Sequence, residues 1–356
     1  MVFFIRNMFE KLKILELSSV LAGPAVGMFF AELGAQVTKI ENKTSNGDLT
    51  RKWLLPSEKH DALSAYFCSV NYGKKHLYLD YNDSEDKKTL HQLIASHNVI
   101  ISNFKAGDAE KFQLQFEVCK KINPKIIYAQ IEGFKSNPKR VAFDIVLQAE
   151  TGFLAMTGDN EHLSKMPVAM IDVLAAHQIK EGILVAMIQQ QLDKKAYKVT
   201  TTLEESAIAS LMNQSSNYLM VNHMAKPIGT LHPNIAPYGD IIITKGGYQL
   251  ITAIGTNKQF SKFCKIINFK ETNAYNSNHK RVSNRKHMIN EINKITKKLD
   301  HKKLLAACED HKIPIGKIKK LDEVLNSDLA KKMTLKSKME GQITKRIQTV
   351  AFELSN

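Results

Sequence analysis

The stretch LKILELSSVLAGPAVGMFFAELGAQVTKIE, residues 12–41, decides the fold. LKILEL (12–17) is an apolar, strand-like run, and Ser18 to Pro24 turn the chain. Ala25–Leu33 has helical composition and is stopped by Gly34, after which AQVTKIE (35–41) supplies a second strand. Strand–helix–strand units of this kind build parallel sheets. The rhythm repeats downstream. HLYLDYN (76–82) reads as a strand, 84–96 as a helix, and NVIISNF (98–104) and PKIIYAQIEGF (124–134) as further strands. The fold class is therefore α/β with a Rossmann-like large domain, placed over 1–222.

VLAAHQIKEGILVAMIQQQL (173–192) carries apolar residues at helical spacing with Asp172 at its start, and a second amphipathic helix is expected over 203–222. The turn-rich KPIGTLHPNIAPYGD (226–240) then leads to DIIITKGGYQLITAIG, two strands around Lys245-Gly246-Gly247. A smaller α+β domain is placed over 223–325, with 326–356 returning to the large domain.

A chain of 356 residues suits two domains, and 44% hydrophobic with 24% charged residues is the composition of a chain that buries a core. No window has the ~18 apolar residues of a membrane span. The opening MVFFIRNMFEKLKIL lacks a long apolar region and a cleavage site, so a cytoplasmic protein is expected, with Met8 an alternative start. Cys68, Cys119, Cys264 and Cys308 form no ligand spacing, so they read as reduced packing residues and zinc is not expected. The net charge of +15 invites an anionic partner. The basic residues are scattered, however, and the densest run, 280–303, reads as solvated helix faces rather than a nucleic-acid footprint. A phosphorylated small ligand needs only a few of them. There is no GxGxxG and no Walker A loop; the first βα turn is SSVLAGP.

Taken together, the motifs resemble family III CoA-transferases of the CaiB/BaiF type. The opening stretch with NGDLTRKW (46–53) is similar to that family's start. Asn71-Tyr72-Gly73-Lys74-Lys75 with Leu79-Asp80, Ser102 to Gly107, Asn123-Pro124 through Gly133-Phe134, Phe143-Asp144 with Gln148-Ala149, Met166 to Asp172, His232 to Tyr238 and Ile313–Leu329 follow in family order. The resemblance implies an interlocked homodimer, acyl-CoA and small carboxylic acids as substrates, coenzyme A as the shared group, and no metal or redox cofactor. From the scattered charge and the lack of an apolar span, no nucleic-acid and no membrane partner is expected.

The residues alone show Asp172 as an aspartate suited to capping a helix. The resemblance makes it the nucleophile of acyl exchange through aspartyl anhydride and aspartyl-CoA thioester, with first-turn amides and the helix dipole keeping it ionised. CoA contacts carried over by position are Val20, Leu21, Asn42, Leu79, Asp80, Tyr81, Asn82, Asn103, Phe104, Lys105, Lys111, Arg140, Phe143 and Asp144. Asn103 also suits a turn, Leu79 a core and Lys111 a solvated surface. The family often has arginine where Asn42 and Lys111 stand; Lys43 is placed to replace the first. Leu21 stands where formyl-CoA transferases have glutamine, which argues against formyl/oxalate specificity. α-Methylacyl-CoA racemases share the family and place a histidine before the motif aspartate. Phe143 holds that position and exchanges no proton, which favours transfer over racemisation. His177 reads as a structural or surface histidine. A CoA-binding protein without activity is the remaining alternative.

Overall fold

The computed structural model describes residues 9–159 and 161–355. The expectations about a leader and about Met8 lie outside these residues. The chain divides into two compact units. The first comprises the residues up to 154, 165–224 and the C-terminal stretch from 329; the second comprises 155–164 and 225–328. Residues 155–164 thus group with the smaller unit rather than with 1–222.

In the first unit six parallel strands run β1 (Lys13–Leu17), β2 (Gln36–Asn42), β3 (Lys74–Leu79), β4 (Val99–Ser102), β5 (Ile127–Glu132) and β6 (Tyr197–Thr202). Their order across the sheet is β3-β2-β1-β4-β5-β6. Both faces are covered, which is why the central strands are apolar at consecutive positions rather than at alternate ones. On one face Ile14, Val37, Ile101 and Ala129 pack with α1 (Ala22–Glu32) and with Ile171, Ala175 and Ile179 of a long helix, 170–193. On the other, Leu15, Ile40, Ile100 and Tyr128 pack with Leu90 and Ile94 of α2 (Ser84–Ser96).

α1 begins at Ala22, before Pro24, because first-turn amides have no intrahelical acceptor and a proline there loses nothing. Gly27 is needed on this helix: a Cβ would meet Glu16 Oε2 at 1.9 Å. That carboxylate belongs to a fully buried charge cluster that the scattered lysines of the sequence do not reveal. Lys39 Nζ lies 3.1 Å from Glu16 Oε1 and 3.0 Å from Asp48 Oδ2, and Lys74 Nζ lies 2.7 Å from Glu16 Oε2.

The helix expected over 203–222 is two helices, Leu203–Ala209 and Met212–Val221, interrupted where Met212 takes a φ of 44°. β6 and a C-terminal hairpin (Thr334–Met339 with Gln342–Ile347) go beyond the expected strands. Arg51 ties that hairpin to the end of β2, pairing with Glu41 and with Glu340.

The second unit has the expected hairpin: β7 (Tyr238–Ile243) pairs antiparallel with β8 (Gln249–Ala253), and β9 (Ile315–Lys317) adds to β8. Its core gathers Phe260, Phe263, Ile292, Leu304 and Cys308. Most basic residues of 280–303 are exposed or half-buried. Arg281 is the exception: it is fully buried and donates to the carbonyls of Ala236 and Tyr275 and to Asn257. All four cysteines are buried and unpaired. Among the described residues no helix is long and apolar enough to cross a membrane.

Candidate active site

The strand order reverses between β1 and β4, so the turns leaving them diverge and open a crevice beyond the carboxyl ends of the sheet, where α/β proteins bind ligands. A cavity of about 440 Å³ lies there. It gathers Val20, Leu21, Asn103, Phe104, Lys105, Arg140, Phe143 and Asp144 around Asp172. Asn42, Leu79, Asp80, Tyr81, Asn82 and Lys111 do not line it.

Asp172 is the third residue of α4 (Met170–Asp193), counting α3 as Asp144–Glu150. It does not cap that helix. The cap position is Ala169, without a side-chain bond, and the first-turn amides go to Asp144, whose Oδ1 accepts from Ile171 N at 2.6 Å and from Asp172 N at 3.3 Å. Asp144 is steadied in turn by Gln148, which donates to its Oδ2 at 2.5 Å and accepts from Met166 N at 2.9 Å. Asp144 therefore organises the helix start. The expectation that amides hold Asp172 ionised is corrected. Asp172 is 8% exposed as a residue, and among the described residues no group donates to its carboxylate. Burial first, and the Asp144 carboxylate second, push its pKa up to about 7.

Tyr66, which the motifs did not flag, does not line the cavity but lies within electrostatic reach of it. Burial raises its hydroxyl to about 12, with added negative charge from Asp172, Asp144 and Asp48, so it belongs to the same electrostatic neighbourhood. Its ring meets Trp53 edge-on at 5.0 Å. No sequence periodicity marks it, because it sits on the one-and-a-half-turn helix Ala65–Val70.

The other carried-over residues divide by what already occupies them. Asn103 serves the turn: it accepts from Ser19 N at 3.0 Å and donates to Ser19 O at 2.8 Å. Arg140 is engaged by Glu150 and stacks over Phe134 at 4.4 Å. Phe143 is 44% exposed at the cavity. Leu79 and Tyr81 are core residues, 7% and 5% exposed; Tyr81 packs against Phe104 and Phe112, so apolar burial rather than ligand contact explains both side chains. Asn42 caps the turn at Lys43–Ser45, accepting from Thr44 N at 3.0 Å. Lys43 pairs with Asp86 at 2.8 Å. Asp80 accepts from Asn82 N at 2.9 Å, and Lys111 is exposed beside the Phe112 ring. Lys105, Lys139 and Arg140 give the cavity a cationic rim.

Comparison with known proteins agrees with this architecture. The chain is 30% identical to a succinate–glutarate CoA-transferase of Agrobacterium fabrum over 342 residues, covering 93% of this chain and 85% of that one. It is 33% identical to the human succinyl-CoA:glutarate CoA-transferase over 322 residues, 88% of this chain and 72% of that one. The crystal structure of a CaiB/BaiF family protein from Brucella suis superposes with a TM-score of 0.85 at 30% identity, covering 97% and 92% of the two chains. The model of CoA-transferase family III matches residues 9–356. A match of that length, with named transferases at about one-third identity, leaves one conclusion: the chain is an enzyme of CoA-transferase family III.

Proposed function

We propose that this enzyme moves CoA between dicarboxylic acids through covalent intermediates on Asp172. The donor thioester carbonyl is attacked by the Asp172 carboxylate; the C–S bond breaks, leaving a mixed anhydride and CoA thiolate. The thiolate attacks the aspartyl carbonyl, releasing the first acid and forming an aspartyl-CoA thioester. The acceptor carboxylate attacks that thioester, freeing thiolate again, which takes the acyl group from the second anhydride. The sum is acyl-CoA plus acid giving the exchanged pair, and Asp172 returns as carboxylate.

The observation that carries the reading is the state of Asp172, a buried carboxylate facing a cavity, stripped of donors and with a raised pKa. Desolvation makes it a stronger nucleophile than an exposed aspartate, and a water-poor site protects anhydride and thioester from hydrolysis. Lys105 and Lys139 on the rim suit CoA phosphates or the second carboxylate of a diacid, and Arg140 would join them on leaving Glu150. In this reading the CoA follows the carboxyl edge of the Rossmann-like sheet, from the Val20–Leu21 turn past Asn42, one strand spacing (~5 Å) away, towards Asp80–Asn82, two spacings (~10 Å) away. Succinyl and glutaryl groups, named for the relatives above, are the first candidates.

The reading includes an interlocked homodimer. Supporting it, α4 exposes Val185 (65%), Ile188 (69%) and Leu192 (78%), and the helix Met212–Val221 exposes Leu219, Met220 and Val221, apolar side chains that a partner subunit would cover. It also includes a cytoplasmic setting, in keeping with four unpaired buried thiols.

The test is intact-mass analysis after mixing the enzyme with succinyl-CoA and glutarate, or other acyl-CoA and acid pairs, with hydroxylamine trapping. A trapped adduct on Asp172 that vanishes in Asp172→Asn, together with loss of transfer, is expected. Exchange of the α-hydrogen with deuterated water without transfer, or transfer that survives Asp172→Asn, would overturn the reading.

A further inference from the structure

We infer that Asp48 is a positioning residue for acyl transfer: with Lys39 behind it, it holds the Ser18–Leu21 turn in place against the cavity of Asp172. The inference rests on Asp172 being the nucleophile.

Asp48 lies on the loop after β2 and is 4% exposed. Both its oxygens face one backbone amide of another segment: Val20 N lies 3.3 Å from Oδ1 and 3.2 Å from Oδ2. Its own position is fixed from three sides. Its N–H donates to Glu41 Oε2 at 2.9 Å, Thr50 donates to Oδ1 through N and Oγ1 at 3.0 and 2.8 Å, and Lys39 Nζ is 3.0 Å from Oδ2. The same ammonium donates to Ser18 O at 2.7 Å. Lys39 and Asp48 therefore grip the turn at consecutive points, Ser18 O and Val20 N, while Asn103 holds Ser19 between them.

The turn needs that grip because of Val20. Its φ is 70°, in the left-handed region that L-residues avoid and β-branched ones most of all. Such a residue persists only where its surroundings over-determine it, and strained backbone of this kind collects at functional sites. Relaxed to negative φ, the chain would leave the path that brings Val20, Leu21 and Ala22 to the cavity shared with Asp172. The hold is a buried ionic cluster, Glu16, Lys39, Asp48 and Lys74, two anions against two cations. Apolar side chains of similar volume would fill that space without the desolvation cost. What they cannot do is bond the Ser18 carbonyl and the Val20 amide of one turn.

The experiment compares Asp48→Ala and Asp48→Asn, each with and without Val20→Gly, in full-length enzyme. Succinyl-CoA and glutarate, or the fastest pair of the adduct experiment, are the substrates. If Asp48 holds the strained turn, Asp48→Ala lowers kcat by ~10²-fold, as a misplaced reacting group does, while KM for the acyl-CoA moves less than ~3-fold. Glycine adopts positive φ without penalty. Adding Val20→Gly should then recover about tenfold in kcat without restoring the melting temperature, a split that a merely structural role does not produce. If Asp48→Ala fails to fold, the Asp48→Asn pair carries the same expectation at smaller amplitude, because asparagine keeps an acceptor for Val20 N. No recovery by glycine, or a loss confined to KM, overturns the inference. Asp172→Asn separates the two readings. If it still transfers, the nucleophile assignment has failed; if it is inactive while the Asp48 variants keep wild-type kcat, only the positioning role has failed.

Discussion

Replacing Asp172 with asparagine should stabilise the enzyme above neutral pH and change little in acid. The folded protein holds this carboxyl at about 7, against an ordinary 3.8, chiefly by burial and secondly through Asp144. The unfolded chain ionises it near ~3.9. Between these values the folded state binds the extra proton, so stability falls as pH rises through the window, opposite to the salt-bridged aspartate. At ~1.36 kcal/mol per unit, a rise from 3.8 to about 7 removes about 4 kcal/mol by pH 8. At pH 4.5 the loss is only about 1 kcal/mol. Asparagine keeps the shape and never ionises, so its advantage over wild type should grow by about 3 kcal/mol between pH 4.5 and 8. With ~2.1 cal/mol/K of unfolding entropy per residue, 356 residues convert this to ~4 °C if the chain melts as one unit. The shift is larger if the unit carrying Asp172 melts alone. Scanning calorimetry of both proteins at the two pH values measures it, and the double difference cancels every pH effect they share. A gap that is equal at both pH values, or an asparagine variant less stable than wild type at pH 8, would refute the argument.

The same ionisation should appear in catalysis: kcat/KM for the acyl-CoA rises with pH along an acid limb near 7, and Asp144→Asn, by removing the negative neighbour, moves the limb to lower pH. A limb that stays put in a stopped-flow pH series refutes the coupling. Asn103→Ala removes both bonds to Ser19 and should cost about 1–3 kcal/mol in urea unfolding. It should also weaken CoA binding by calorimetric titration. Arg51→Ala leaves the buried Glu41 carboxylate only the Asp48 amide and His76 and should cost about 1–3 kcal/mol. Glu340→Gln, at a carboxylate 44% exposed, should cost under ~1 kcal/mol. Hydrogen exchange across the hairpin 334–347 distinguishes the two.

What the sequence determines by itself is what local periodicity encodes. The runs KILEL and VIIS are apolar at successive positions because a sheet covered on both faces demands it, and each is legible without neighbours. α2 is legible for the same reason: Asp83 accepts from Glu85 N and Asp86 N at its start, a bond spanning two or three residues. The ordered motifs likewise identified the family, and with it the cavity residues around Asp172.

Only the tertiary structure decided which groups those residues face. An aspartate at a helix start reads as its own cap, but at Asp172 the amides belong to Asp144, 28 positions earlier. Lys39 reads as one more scattered charge and Lys74 as a letter of a family motif, yet both are buried against Glu16, because adjacent parallel strands bring distant segments into register. Asp48 looked like one letter of a family motif, and its contact with Val20 depends on a loop folding back across the end of β1. Charge pairing and burial are properties of spatial neighbours. A sequence orders its neighbours along the chain, so Asp172 could be singled out from it as the candidate nucleophile, whereas its raised pKa and the bonds that hold the nearby turn came from the fold.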